Sequence, residues 1–224
     1  MRRFYEVFSN EKLTTLLSKL TWSHYLCILS IKNIYEIEYY IYICINQNLS
    51  VRQLENKIKL KEYERLSESV KNKLINQEEY NVVDFVKNPI RIKNDDKYDI
   101  FSEKVLQKLI VEDIETFLDE LGNGFAFIKS EYPIKLADRY NYIDLLLYNI
   151  KYKCYVVVEL KITELKKEHI GQIEVYMNYI DKNLKTIEED KTIGIIIVKK
   201  EDKYIMEYCS DDRILTKEYI LISK

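Results

Sequence analysis

Glycine and proline are scarce, at four and two of 224 residues, and the chain holds no internal repeat and no low-complexity tract. Histidine is as scarce as proline, and His24 and His169 stand far apart, which speaks against a metal-binding pair. Four cysteines at 27, 44, 154 and 209 are irregularly spaced without a CxxC pair, which excludes a recognisable zinc site or disulfide framework and suggests reduced thiols. No segment approaches the roughly 20 apolar residues a membrane helix needs, and the N-terminus lacks the basic, apolar and small-residue succession of a secretion signal. A soluble, cytoplasmic protein with no membrane partner is expected. Nor is there an excess of one charge: the net value of −2 argues against coating nucleic acid by electrostatics alone.

What is present is ordinary globular material, 47% apolar against 32% charged, enough for one large domain or two smaller ones. Tyr, Ile, Lys and Asn abound as biased nucleotide composition would produce, so most of the twenty tyrosines read as packing residues. Charge is uneven. Residues 1–75 hold twelve Lys/Arg and eight Asp/Glu, while 76–224 hold twenty-three and twenty-nine, which makes the N-terminal part the better place for phosphate contacts. Its basic run, Arg52, Lys57, Lys59, Lys61 and Arg65, alternates with Glu55, Glu62 and Glu64 in the manner of a solvated helix.

Residues 1–75 read as helical, with Asn33 and Ser50 as N-caps and Gln53 completing a capping box. Residues 76–101 turn polar around Asn88-Pro89 and Asn94-Asp95-Asp96 and read as a linker. From Ser102, one helix of about twenty residues is expected, with Leu106, Leu109, Ile110, Ile114, Phe117, Leu118 and Leu121 on one face, ended by Gly122 and Gly124. Strands follow at 125–134, 140–148 and 153–162, a helix at 166–183, and strands near 192–199 and 203–209. The fold class is therefore α/β, an αβββαββ core in 102–224 preceded by a small all-helical region.

Charged residues interrupt two of these apolar strands: Asp144 in the second, Glu159 and Lys161 in the third. Ionised groups inside a sheet are costly without partners. A hairpin centred between Lys151 and Tyr152 sets Asp144 opposite Glu159, and Lys161, two residues on, joins that face while Leu160 turns into the core. One residue of slippage would destroy the arrangement. Two hard carboxylates beside an ammonium suit Mg²⁺ with oxygen ligands, a unit able to activate water against a phosphodiester.

The pattern D-x14-E-L-K across a hairpin, followed by a helix bearing Gln172, resembles the PD-(D/E)xK nuclease superfamily. Trp22-Ser23-His24-Tyr25, Leu49 to Glu55, Phe85 to Pro89, Leu121 to Phe127 and Tyr142 to Leu146 are further similar to the bacterial YhcG-type family, which joins a helical DNA-binding-like domain to such a restriction-endonuclease-like core. The resemblance implies that Asp144, Glu159 and the backbone carbonyl of Leu160 hold Mg²⁺, with Mn²⁺ able to substitute, that Lys161 serves the nucleophile, and that Gln172 approaches from the following helix with Tyr176 one turn on. Where the family offers a glutamate from its first core helix, this chain has Gln107, with Glu103 one turn earlier, so the fourth acidic ligand is left open. Met1 to Tyr5 resembles the interior of a longer domain, as in an N-terminally shortened homologue.

The expected function is Mg²⁺-dependent hydrolysis of DNA, with RNA not excluded and a homodimer compatible. The alternative is a nucleic-acid-binding module that keeps the fold without activity. His24 and His169 read as packed or capping residues.

Overall fold

The computed structural model describes residues 19–76, 78–95 and 102–223. Two compact units divide the chain, residues 1–80 and 81–224. Met1 to Tyr5 lies outside the described residues.

In the first unit, α1 (Trp22–Ile28), α2 (Ile34–Gln47), α3 (Val51–Lys59) and α4 (Glu68–Asn76) are joined by short turns, with no strand among the described residues. The expected caps form: Asn33 accepts the Tyr35 N–H, and Ser50 and Gln53 make a reciprocal capping box. Tyr39, Tyr40, Ile41 and Leu54 are buried together with other apolar residues of this unit. The basic run departs from its solvated reading, because Lys57 and Arg65 are both buried. Lys57 reaches past the end of α3 to Glu62 at 3.1 Å, and the Tyr39 hydroxyl donates to the same carboxylate at 3.3 Å, so the buried charge is neutralised within the unit. His24 does cap: its Nδ1 accepts the Thr21 N–H at 3.2 Å, and its Nε2 lies 3.0 Å from the Leu49 carbonyl oxygen.

The second unit is built on a sheet of β1 (Ile90–Lys93), β2 (Phe125–Leu136), β3 (Arg139–Asn149), β4 (Cys154–Leu160), β5 (Asp190–Val198) and β6 (Ile214–Ile222), in the order β1-β6-β5-β4-β3-β2. The β2-β3-β4 meander is antiparallel, and β4, β5, β6 and β1 run parallel. Helices α5 (Glu103–Glu112) and α6 (Ile114–Leu121) share one core with Leu145, Leu147, Val156, Val158 and Leu160. On the other side α7 (Lys167–Asn183) shares a second core with Leu146, Val157 and Ile196. No helix among the described residues is long and apolar enough to cross a membrane.

Three further sequence expectations need correction. The segment read as a linker contains β1, whose Ile90 and Ile92 are buried beside Val86; two apolar residues on one face of a short strand outweigh polar flanks. The single helix after Ser102 is two, parted at Asp113, where the backbone leaves helical geometry and the carboxylate pairs with Lys93. The strand placed at 203–209 is the short helix α8 (Lys203–Glu207), and the last strand comes later, at 214–222. Asp202 decides this locally, since its side chain accepts from the N–H groups of both Tyr204 and Ile205 and so starts a helical turn.

Candidate active site

The geometry of the site is fixed by a turn. Asn149 is fully buried, and its Oδ1 accepts the N–H groups of Lys151 and Tyr152 at 3.1 and 3.2 Å, closing the β3–β4 connection. From this turn the ladder runs Asn149 to Cys154, Leu147 to Val156 and Leu145 to Val158. One step further along the same register, Asp144 stands across from Glu159. Asp144 Oδ2 accepts the Leu160 N–H at 2.8 Å, which holds the carboxylate over β4. Leu160 itself is buried in the α5–α6 core, so alternation turns its neighbours Glu159 and Lys161 the other way.

Glu159 and Lys161 meet at 3.4 Å and are both buried; Lys161 Nζ also lies 3.5 Å from Glu103 Oε2 at the start of α5. Glu103 is thus brought to the cluster through the lysine. Gln107, one turn along α5, sends its Nε2 to the backbone carbonyl oxygen of Asp144 at 2.7 Å. It therefore fixes the strand that carries the acid instead of adding a further carboxylate. On α7, Gln172 Nε2 donates to the Tyr176 hydroxyl at 3.1 Å, so these two share a face as their spacing requires. Gln172 makes no hydrogen bond to Asp144, Glu159 or Lys161 among the described residues, although Tyr176 feels the charge of all three.

Burial dominates the electrostatics. It raises the Glu159 carboxyl to about 8; neighbouring Asp144 adds to the rise, and Lys161 only partly opposes it. Asp144 is raised for the same first reason, offset in part by the Leu160 N–H and by Lys161. For Lys161 burial works against the ammonium, but Glu159, Glu103 and Asp144 together outweigh it and hold its pKa above the usual lysine value. The cluster is a cation held by carboxylates that are themselves reluctant to ionise.

His169 belongs to this neighbourhood. Its Nδ1 accepts the Lys166 N–H at 3.2 Å as a helix cap, which leaves the proton of the neutral ring on Nε2. Burial, and then the charge of Lys161, depress its pKa. Its position three residues before Gln172, hence on a neighbouring face of α7, is the signal by which sequence alone could have placed it near Lys161.

Among the described residues no group of three or more His, Cys, Asp or Glu side chains is arranged to hold a metal ion. The donors present nonetheless suit a hard cation. Glu159 Oε1 is buried without a hydrogen-bond partner, and an oxygen left so beside a second carboxylate is what a divalent ion satisfies.

A mixed sheet with helices on both sides, and an acidic pair with a lysine at the β3–β4 hairpin, make up a restriction-endonuclease-like fold. Residues 83–224 match the family model of the YhcG PDDEXK nuclease domain, and residues 1–65 that of the DUF1016 N-terminal domain. The chain belongs to the YhcG nuclease family. It is 26% identical over 181 residues to the Escherichia coli (strain K12) protein named "Putative nuclease YhcG", a match covering 78% of this chain and 48% of that one. The chain thus spans about half the length of this relative. Among solved structures it is similar to a repair endonuclease from Pyrococcus abyssi, with 19% identity, a TM-score of 0.38, and 57% and 49% of the two chains covered. It is likewise similar to EndoMS in complex with double-stranded DNA, with 18% identity, a TM-score of 0.37 and coverage of 58% and 49%.

Proposed function

We propose that the chain hydrolyses phosphodiester bonds of DNA with the help of a divalent cation, Mg²⁺ or in its place Mn²⁺, at the Asp144–Glu159–Lys161 cluster. The observation that carries this is the buried, unpartnered Oε1 of Glu159, set beside Asp144 and against the Lys161 ammonium. A carboxylate oxygen kept from both water and protein donors has no structural use and is best explained by a cation that completes it.

Asp144, Glu159 and the backbone carbonyl of Leu160 would hold the ion. When bound, the ion supplies an acidified water and a positive charge on the phosphoryl oxygens. Lys161, kept as an ammonium by its acidic neighbours, orients the attacking water and donates to the non-bridging oxygen that gains charge as the new P–O bond forms. The attacking water releases its proton to solvent, the bond to the leaving sugar oxygen breaks, and that oxygen takes up a proton from solvent. Gln107 acts on none of these atoms; it positions Asp144 through its backbone. Gln172 and Tyr176, joined on α7, would hold the neighbouring phosphate. Glu103 keeps Lys161 charged.

The test is cleavage of linear duplex DNA by the purified chain in Mg²⁺ or Mn²⁺, against Asp144→Asn and with unlabelled RNA as competitor. Loss of at least a hundredfold in the variant is expected. Equal cleavage by both proteins would remove Asp144 from the mechanism, and preferential competition by RNA would change the substrate.

A further inference from the structure

The β2–β3 hairpin runs on past β4 at the end of the sheet where the cluster lies. The ladder between β3 and β4 stops at Leu145, so from Asp144 back to Arg139 the strand pairs with β2 alone, in register down to Leu136 opposite Arg139. One face of this two-stranded ribbon is held: Tyr132, Ile134, Leu136 and Ile143 pack into the core shared with α7. The cross-strand pairs of Pro133 with Tyr142 and of Lys135 with Tyr140 make up the other face. There the two rings stand in water, Tyr140 64% and Tyr142 56% exposed. Large rings left bare on a ribbon anchored by its reverse side are not explained by packing.

The ribbon is continuous with the cluster. Tyr142 precedes Asp144 by two residues and Tyr140 by four, roughly 7 and 13 Å of strand, so the rings line the way out from the acid along its own backbone. Charge agrees with this. Lys129, Lys135 and Arg139 are exposed and form no ion pair among the described residues, Glu131 pairs with Lys104 at 3.6 Å, and of the ribbon's acids only Asp138 is left to oppose them. Exposed rings on alternate residues of a strand, flanked by unpaired basic groups, are how β-sheets take up single-stranded nucleic acid. Spacing favours the same occupant. In a duplex the base faces are already stacked, at about 3.4 Å along a strand, whereas rings roughly 7 Å apart suit the free, separated base faces of an unpaired strand.

We propose that the exposed face of the β2–β3 ribbon is a nucleic-acid-binding arm, on which unpaired nucleotides adjoining the scissile phosphate stack on Tyr142 and then Tyr140 while Lys135 and Arg139 meet their phosphates. The chain accordingly favours DNA with a single-stranded tail next to the cleaved bond over blunt duplex. The proposal rests on the nuclease reading of the Asp144, Glu159 and Lys161 cluster, from which it takes the position of the scissile phosphate.

Fluorescence anisotropy of the full chain, with Ca²⁺ in place of Mg²⁺, tests it on a labelled blunt duplex, on the same duplex with a five-nucleotide 5′ or 3′ tail, and on both tails made abasic. Wild type is expected to bind the better of the two tailed duplexes about tenfold more tightly than the blunt one. The advantage should vanish for the abasic tail and when Tyr140→Ala and Tyr142→Ala are combined, and persist when Tyr140→Phe and Tyr142→Phe are. Lys135→Ala with Arg139→Ala should weaken tail binding and make its salt dependence shallower. Circular dichroism melting verifies that every variant folds. A tail preference kept by the alanine pair, an abasic tail bound as well as a natural one, no tail preference at all, or a salt dependence unchanged without Lys135 and Arg139 overturns the arm. So do wild-type dimers, seen by sedimentation, that the tyrosine-to-alanine pair dissolves with the tail preference intact, which would assign the face to a second copy of the chain. Blunt-duplex cleavage by wild type against Asp144→Asn is scored separately in Mg²⁺. Cleavage without tail preference removes the arm alone, whereas tail preference without cleavage removes the catalytic reading.

Discussion

Gln107 on α5 donates a 2.7 Å hydrogen bond to the backbone carbonyl oxygen of Asp144 on β3, so the helix grips the strand at the residue that supplies an acid. The bond is made by a largely buried side chain to a main-chain acceptor, and nothing of similar shape replaces it. Gln107→Leu is expected to cost about 1–2 kcal/mol in urea unfolding. In the same variant, cleavage falls about tenfold while the Mn²⁺ dissociation constant moves less than threefold. A parallel loss of both would make Gln107 a ligand and not a positioning residue.

Glu159 predicts a pH dependence of the metal-free protein. Its carboxyl is raised from 4.5 to about 8, so between those values the folded chain keeps a proton that the unfolded chain has released. Stability from this group is complete below about pH 4.5 and is lost as pH rises through about 8. Glu159→Gln, which needs no proton, should therefore melt higher than wild type at pH 8.5 in EDTA by on the order of 1–2 kcal/mol, and equally at pH 4.5. Adding Mn²⁺ at pH 8.5 should stabilise wild type and leave the variant unchanged. Identical melting curves at pH 8.5 would mean that the carboxylate finds another partner there.

Lys161 competes with any cation for Glu159, since its Nζ already lies 3.4 Å from that carboxylate. Lys161→Met should then bind Mn²⁺ as well as wild type or better by isothermal titration, yet cleave at least a hundredfold more slowly. Weaker Mn²⁺ binding in proportion to lost activity would contradict the assigned role.

Gly194 on β5 lies directly under α7. A Cβ there would meet Met177 Sδ at 2.6 Å and Ile173 Cδ1 at 2.8 Å. Gly194→Ala should cost about 1–3 kcal/mol and, by pushing away the helix that bears Gln172, weaken duplex binding. Unchanged thermal midpoint and affinity would show that both side chains move aside freely.

Much of this architecture is written in local chemistry. The register that sets Asp144 across from Glu159 follows from the length of the β3–β4 turn and from alternation along β4, both readable from the residues alone. The caps at Asn33 and Ser50 are equally local. What escaped reading depends on distant partners. Asp113 breaks a continuous apolar helical pattern because Lys93, twenty positions earlier, draws it aside. Lys57 looks solvated until the chain returns with Glu62. At 203–209 a run of β-forming side chains loses to a single aspartate that satisfies two N–H groups. Glu103 and Gln107 could be proposed for the site, but which reaches the lysine and which the backbone is decided only once α5 lies on the sheet.

The pairing of β1 with β6 bears on how this chain can be cut into pieces. Ile90 aligns with Tyr219 and Lys93 with Ile222, so four residues from the segment resembling a tether complete the sheet at its margin. A recombinant fragment begun at Ser102 would leave the outer ladder of β6 bare and strip Ile90 and Ile92 from the interior, inviting strand-to-strand association between molecules. Dissection of the nuclease portion has to begin upstream of Val86, near Asn81.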